Sequence, residues 1–326
     1  TNAMIVLVFT ILKINGLGLS VGILYILIEY NKRILRLFMN FLSQINRYKT
    51  ALVSCDRIIK IFEIEEEKTT DREIDLEGNI EFKNVSFSYD GKNDVLKNIS
   101  FKVNKGETIA FVGSTGSGKS SIINLFLRFY EFDRGEILVD GRDIKEYSMN
   151  ELRNKIGLVL QDPFLYHGTI ESNIKMYNKS LTESDIKAAA EFVDADEFIM
   201  QLPEKYKSQV TERGSTFSSG QRQLLTFART IAAQPKILIL DEATANIDSE
   251  TEEIIQNSLK KMRKGRTTIA IAHRLSTIQD ANCIYVLDKG EIIESGTHTK
   301  LLQQKGTYYK MYQLQAGMLN IEKTSN

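Results

Sequence analysis

From Met4 to Ile28 the chain is mostly apolar, broken by Thr10, Lys13, Asn15 and Ser20 and by glycines at 16, 18 and 22. A bilayer-spanning helix needs about 20 apolar residues, and a lysine at its centre costs roughly 2.5–3.5 kcal/mol. Lys13 therefore favours a split, with one apolar helix ending at Ile14, a turn at Asn15-Gly16 and a second helix from near Leu19. The second helix runs on through Arg57, because Leu35, Phe38, Leu42, Ile45 and Leu52 keep a helical period while basic residues fill the rest. Two readings fit this arm: the last part of a membrane domain, with the basic stretch at its cytoplasmic end, or an amphipathic helix packed on a soluble partner. We favour the first. Neither a basic start nor a small-residue cleavage site marks a signal peptide, and Thr1–Ala3 read as an expression leftover.

From Glu63 to Glu77 the chain is charged and aperiodic, which reads as a linker. Alternating strand patterns follow at 80–85 and 99–103. Short apolar runs at 109–112, 156–160, 237–240, 268–272 and 284–287 suit buried strands, and amphipathic helical stretches lie between several of them. This alternation predicts an α/β core with parallel strands. The end of the chain, from Leu319 to Asn326, is a polar tail.

Composition narrows the class. With 326 residues, 42% apolar and 26% charged, the chain is globular rather than disordered, and long enough for about two domains. Two cysteines without metal-ligand spacing exclude a disulfide scaffold and a zinc ribbon. The net charge is zero, which argues against a nucleic-acid coat. Yet residues 1–63 carry eight basic and three acidic side chains, a net of +5, which leaves −5 on the remainder.

The strongest chemical signal is Gly113-Ser114-Thr115-Gly116-Ser117-Gly118-Lys119-Ser120, which fits G-x-x-x-x-G-K-[ST] between the apolar run 109–112 and a helical run, Ser121 to Phe129. Glycines let the backbone wrap phosphates, and amides at the helix start form an anion site. Lys119 suits the β- and γ-phosphates, and the Ser120 hydroxyl suits Mg²⁺. A second signal is Ile237-Leu238-Ile239-Leu240-Asp241-Glu242, which places Asp241 at the carboxyl end of a buried strand. Asp241 is suited to the Mg²⁺ shell, directly or through water, and Glu242 to polarising an attacking water. Together these segments predict a site that hydrolyses a nucleoside triphosphate.

Between them lies Ser218-Ser219-Gly220-Gln221-Arg222-Gln223. With the motifs above, in this order and spacing, the chain resembles the ATP-binding cassette (ABC) family, in particular the ATPase domain of ABC exporters, over residues 78–315. The resemblance implies a P-loop fold with a mixed sheet core and a helical signature subdomain, preceded by the helical arm (1–63) and linker (64–77) and followed by a tail (316–326). It implies that Tyr89 stacks on adenine, that the phosphate loop through Ser121 holds the phosphates, and that Gln161 meets Mg²⁺ alongside Ser120 and Asp241. It further implies that His273 contacts the γ-phosphate, that Asp248 lies in a loop crossing to a partner, and that Ser218, Gly220 and Gln221 serve the ATP of a second subunit. Val210-Thr211-Glu212-Arg213-Gly214 resembles an exporter loop that touches membrane domains, although Gly is more usual at position 211.

Departures from the family pattern are informative. Phe217-Ser218-Ser219-Gly220-Gln221 stands where Leu-Ser-Gly-Gly-Gln is usual, and Asn246-Ile247-Asp248 where Ala-Leu-Asp is usual. A β-carbon at Ser219 resists a positive φ and close phosphate approach, with an effect that could be small or large. An intact Lys119, Ser120, Asp241 and Glu242 beside an altered signature resembles one partner of a heterodimeric exporter; a homodimer tolerating a conservative change is the alternative. The expected function is ATP hydrolysis driving export from the inner (plasma) membrane, with ATP and Mg²⁺ bound on the cytoplasmic side and no nucleic-acid partner. The alternatives are a soluble ABC ATPase acting on DNA or ribosomes, and a non-hydrolysing nucleotide sensor. Glu29, Tyr30, Asn31 and Lys32 face a transport pathway or sit at the membrane surface; the transported substrate is not written in this chain. Because an exporter half needs several membrane spans, the chain reads as a fragment of one.

Overall fold

The computed structural model describes residues 2–14, 16, 21–64, 74–176, 178, 180–211, 214–241, 249–272, 274–315 and 317. The chain divides into two units, Thr1–Glu67 and Lys68–Asn326. In the first, helix α1 (Asn2–Ile14) is followed by α2 (Val21–Phe62), and the two pack against each other. Gly16 takes a left-handed φ of +76° and its N–H donates to Lys13 O at 3.3 Å, closing the turn between them. The described part of the second helix starts at Val21 and continues past Arg57. Nothing in Ile58–Phe62 breaks it, and Lys60 pairs with Asp56 one turn earlier at 2.8 Å. Its 42 residues extend about 63 Å at 1.5 Å per residue. Ile34, Leu37, Phe38, Met39 and Phe41 are all exposed along it. No described helix is long and apolar enough to cross a membrane.

The second unit begins with strands β1 (Ile80–Phe87), β2 (Leu96–Val103) and β3 (Thr108–Gly113), then α3 (Lys119–Phe126). Next come β4 (Arg134–Val139), β5 (Arg142–Asp143), α4 (Met149–Arg153), β6 (Ile156–Val159) and β7 (Gly168–Thr169). A helical stretch holds α5 (Ile170–Lys175), α6 (Glu183–Phe192), α7 (Asp196–Gln201), the short β8 (Gln209–Val210) and α8 (Ser219–Ala232). The chain closes with β9 (Ile237–Asp241), α9 (Ser249–Arg263), β10 (Thr267–Ile271), β11 (Cys283–Asp288), β12 (Glu291–Gly296), α10 (His298–Gln304) and α11 (Thr307–Gln315).

The central sheet has the order β12-β11-β3-β10-β9-β6, parallel except for β12. Its inner strands β3, β10 and β9 are apolar on both faces because both faces are covered. In β3, Ile109 and Phe111 enter one core while Ala110 and Val112 enter the other; β9 divides Ile237 and Ile239 from Leu238 and Leu240 in the same way. The first core includes strands β2, β1 and β4 of the antiparallel sheet β2-β1-β4-β5, and α3. The second includes α5, α6, α8 and α9. Five strands escape the apolar-run pattern for a visible reason. Only the second half of β4 is apolar, with Arg134 and Glu136 exposed; β12 is an edge strand whose exposed positions Glu291, Ile293 and Ser295 mix polar and apolar residues; β5, β7 and β8 are two residues each. The helix expected to reach Phe129 stops at Phe126, because Arg128 takes a left-handed φ of +52°.

The segment read as linker joins the body before residue 78. Leu76 is buried in the core, and the Asp140 carboxylate accepts the backbone N–H groups of Glu77 (2.8 Å), Gly78 (3.1 Å) and Asn79 (2.8 Å).

Candidate nucleotide site

Parallel strands deliver their carboxyl ends to one edge. The register sets Phe111 of β3 beside Ile271 of β10, Ile271 beside Asp241 of β9, and Leu240 beside Val159 of β6. The phosphate loop, Asp241 and the segment carrying Gln161 therefore leave the sheet along one edge, where open α/β sheets bind ligands. Gln161 is exposed, one residue beyond Leu160.

At the loop itself, Ser114, Thr115 and Gly116 are exposed while Ser117, Gly118 and Lys119 are buried. Gly113 holds φ +155°, and a β-carbon there would collide with Leu287 O. Gly116 holds φ +81° with no atom within 4 Å of the space a side chain would fill, so the mouth of the loop is open. Gly118, at φ +107°, caps α3. Ser117 N–H donates to Ser114 O at 3.1 Å, tightening the loop. Lys119 folds back over it, its Nζ donating to Gly113 O at 2.8 Å and Ser114 O at 2.9 Å. These two carbonyls hold the ammonium at the loop, where a phosphate would meet it. Ser120 is exposed in the first turn of α3, and Ser121 is buried behind it.

Tyr89 lies just past β1 rather than within it, 48% exposed. Its loop is well tied. Ser88 N–H donates to Asp133 Oδ2 at 2.8 Å, and Asp90 accepts from Lys92 N–H (2.8 Å), Asn93 N–H (2.9 Å) and the Ser88 hydroxyl (2.8 Å). These donors, the Asn93 amide foremost, hold the Asp90 carboxyl well below the usual carboxylate range. The Tyr89 hydroxyl lies 3.1 Å from Ser121 Oγ, which joins the loop to the phosphate-binding helix.

The signature segment sits on the helical layer, at the start of α8, which packs on α5, α6, α9 and β6. Ser218 and Gln221 form a reciprocal cap: Ser218 Oγ accepts Gln221 N–H at 3.2 Å and Gln221 Oε1 accepts Ser218 N–H at 3.0 Å. A β-carbon on Gly220 would meet the Thr251 side chain of α9, so glycine is required there by close approach rather than by φ. Ser219 corrects an expectation. It is the first residue of α8 and is not among the described positive-φ residues, so its backbone does not call for glycine. Any effect of Ser219 comes instead from the room its side chain takes. Further along α8, Arg229 ties the segment after β6 to α5, donating to Phe164 O (2.9 Å), Asn173 O (2.7 Å) and Asn173 Oδ1 (3.0 Å). Burial lowers its pKa without removing its charge.

Thr211 closes a turn, its carbonyl accepting Gly214 N–H at 2.8 Å and its hydroxyl lying 3.0 Å from Ser215 Oγ. Glu242, His273, Asp248, Asn246, Ile247, Glu212 and Arg213 lie outside the described residues, as does the tail apart from Gly317. Sequence reading passed over Tyr130 and Asn124, which the fold sets beside Tyr89. Their only sequence signal is their place on and just after the phosphate-binding helix.

Phosphate-ready backbone at one sheet edge, with a second capped helix start on a separate helical layer, is the layout of a P-loop ATPase of the ATP-binding cassette class. Comparison with known proteins agrees. Residues 96–245 match the family model described as ABC transporter. The chain is 60% identical over 307 residues to exp8, named as an ABC transporter ATP-binding protein of Streptococcus pneumoniae, covering 93% of this chain and 52% of that protein. It is 48% identical over 312 residues to YheH of Bacillus subtilis, named as a multidrug resistance ABC transporter ATP-binding/permease protein, covering 94% and 46%. A bacterial Atm1-family ABC exporter solved with ATP bound superposes with a TM-score of 0.74 at 34% identity, over 94% of this chain and 54% of that one. The chain belongs to the ABC transporter family, and its body is an ATP-binding domain of that family. It spans about half the length of these relatives.

Proposed function

We propose that this chain is the motor part of an ABC exporter: its body binds and hydrolyses ATP, and the helical arm links that cycle to a membrane domain. The observation that carries the reading is the alignment of the phosphate loop, Asp241 and the Gln161 segment on one sheet edge, with the signature held apart on the helical layer. The relatives' names, which include multidrug resistance and fatty acid transporters, favour export over an ATPase acting on nucleic acid or ribosomes.

In this reading the loop amides, Lys119 and Ser121 bind the phosphates, and Tyr89 takes the adenine. Glu242 orients the attacking water and His273 steadies the γ-phosphate. Ser120, Gln161 and Asp241 would hold Mg²⁺; all three offer hard oxygen donors, as that ion prefers. When bound, Mg²⁺ would neutralise charge on the β- and γ-phosphates. The test is Glu242→Gln in the full-length protein, which should keep ATP affinity while slowing hydrolysis at least about a hundredfold. Unchanged turnover would sink the role.

The signature serves the nucleotide of a second subunit, with Asp248 in the loop that crosses to it. An intact set of hydrolysis residues beside Ser219 supports a heterodimeric partner carrying its own weakened site. The basic arm supports placing the ATPase on the cytoplasmic side of the inner (plasma) membrane. Full-length protein reconstituted alone distinguishes the assemblies: strong turnover coupled to transport without a second chain would favour a homodimer.

A further inference from the structure

Tyr89 does not stand alone. Its ring and that of Tyr130 are perpendicular, 4.9 Å between centroids and 89° between planes. Phe87 meets Tyr89 at 4.7 Å and 78°, and Tyr130 at 5.9 Å and 55°, so the three rings form a mutual cluster. Phe87 is buried in β1, whereas Tyr89 and Tyr130 are each 48% exposed. Such perpendicular pairs fix ring tilt as well as position. The hydroxyl end of Tyr89 is held as firmly. Besides Ser121, Asn124 of α3 donates from Nδ2 to the Tyr89 hydroxyl at 3.3 Å.

The loop that presents Tyr130 is built from the same helix. Asn124 O accepts Phe129 N–H at 2.8 Å; Arg128 turns the chain through its left-handed φ, and Arg153 donates to Leu127 O and Arg128 O at 3.1 and 3.0 Å. Asp133, at the end of this loop, accepts Ser88 N–H, while its own N–H donates to Ser86 O at 3.2 Å. The base end and the phosphate end of the site therefore share one frame, with α3 and its exit loop as the common element.

We propose that Tyr130 and Asn124 are positioning residues for the nucleotide base, holding the Tyr89 ring in register with the phosphate loop. The proposal rests on the reading of Tyr89 as the base-stacking residue. Tyr130 acts through its ring and Asn124 through its amide. Because both act on the base end, they discriminate a nucleotide from its bare phosphate chain.

The test is calorimetric binding of ATP and of inorganic tripolyphosphate to the full chain carrying Tyr130→Leu, Tyr130→Phe, Asn124→Ala, Tyr89→Ala and the double change Tyr89→Ala with Tyr130→Leu. Tyr130→Leu should weaken ATP roughly two- to tenfold, and Asn124→Ala roughly two- to fivefold. Tripolyphosphate should bind unchanged in both. Tyr130→Phe should bind ATP as the parent does, because it keeps the ring. The double change should bind ATP no more weakly than Tyr89→Ala alone, since Tyr130 acts through Tyr89. Equal losses for ATP and tripolyphosphate, failure of Phe to rescue, or additive losses in the double change would each overturn the proposal. If Tyr89→Ala weakens ATP while Tyr130→Leu and Asn124→Ala do not, the positioning role fails and the base-stacking reading stands. If Tyr89→Ala itself leaves ATP affinity unchanged, the base-stacking reading fails and the positioning role with it.

Discussion

Ser218 has two separable jobs, and substitutions can split them. Its hydroxyl oxygen accepts Gln221 N–H at 3.2 Å, while Gln221 returns the bond to Ser218 N–H at 3.0 Å. Ser218→Ala removes the first bond and leaves the second. Loss of such a cap costs about 1 kcal/mol, within a range of roughly 0.5–2. For a domain of this size that lowers the melting temperature by about 2–4 °C. Ser218→Asp keeps the acceptor and adds a negative charge at a helix start, worth about 0.3–1 kcal/mol in the stabilising direction. Its melting temperature should equal or slightly exceed the parent's. The functional ranking should differ. If the start of α8 meets a partner's nucleotide, the Ser218 hydroxyl is already committed as an acceptor and serves the phosphate as a donor. A carboxylate there would repel it, so Ser218→Asp should lose at least about tenfold in ATP turnover despite its intact cap. Thermal unfolding and steady-state ATPase on the assembled transporter read the two jobs independently. A melting point for Ser218→Asp as low as that of Ser218→Ala would refute the capping argument, and parental turnover in Ser218→Asp would refute the phosphate role.

Three further outcomes follow from the geometry. Gly220→Ala drives a β-carbon into Thr251; overpacking of this kind costs about 1–3 kcal/mol, partly offset by about 1 kcal/mol of helix propensity, and Thr251→Ala should recover part of the loss in urea unfolding. A Gly220→Ala protein more stable than its parent would show that α9 yields freely. Arg229→Lys cannot span Phe164 O, Asn173 O and Asn173 Oδ1 together, so it should destabilise the protein by about 1–3 kcal/mol and expose the 164–173 segment to hydrogen exchange; unchanged protection there would rule the clamp out. Asp90 has a depressed folded pKa, so its contribution is complete above the unfolded value of about 3.9 and fades only as pH falls below it. The stability gap between parent and Asp90→Asn should stay constant from neutral pH to about 4, and a carboxyl titration midpoint near the ordinary value would contradict the turn geometry.

Read from the sequence alone, the phosphate loop, the strand-end acid and the signature were legible because each binds its role to a local pattern. An apolar run followed by glycines and a lysine can hardly be anything but a strand, a phosphate loop and a helix. The buried strands 109–112, 237–240 and 268–272 were equally plain, since strands covered on both faces must be apolar throughout. Local pattern also located the turn near Gly16 and the helical run to Arg57. Tertiary structure decided what local pattern leaves free. Register along β3, β10, β9 and β6 put the phosphate loop, Asp241 and the Gln161 segment on one edge, which no spacing in the sequence specifies. The half-polar β4 and the edge strand β12 exist because neighbours supply their hydrogen bonds, not because their residues demand it. The Ser219 β-carbon was expected to resist a positive φ, but the helix start shows an ordinary backbone there, while Gly220 proved to be fixed by a neighbour 31 residues away, Thr251. Tyr130 and Asn124 carry no motif; Tyr130 reaches Tyr89 through the left-handed turn at Arg128, and Asn124 reaches it from α3 itself. The sequence determined which chemistry this chain can hold; the packing of distant elements decided which side chains hold it in place, because contacts across a fold are set by geometry that a linear pattern does not encode.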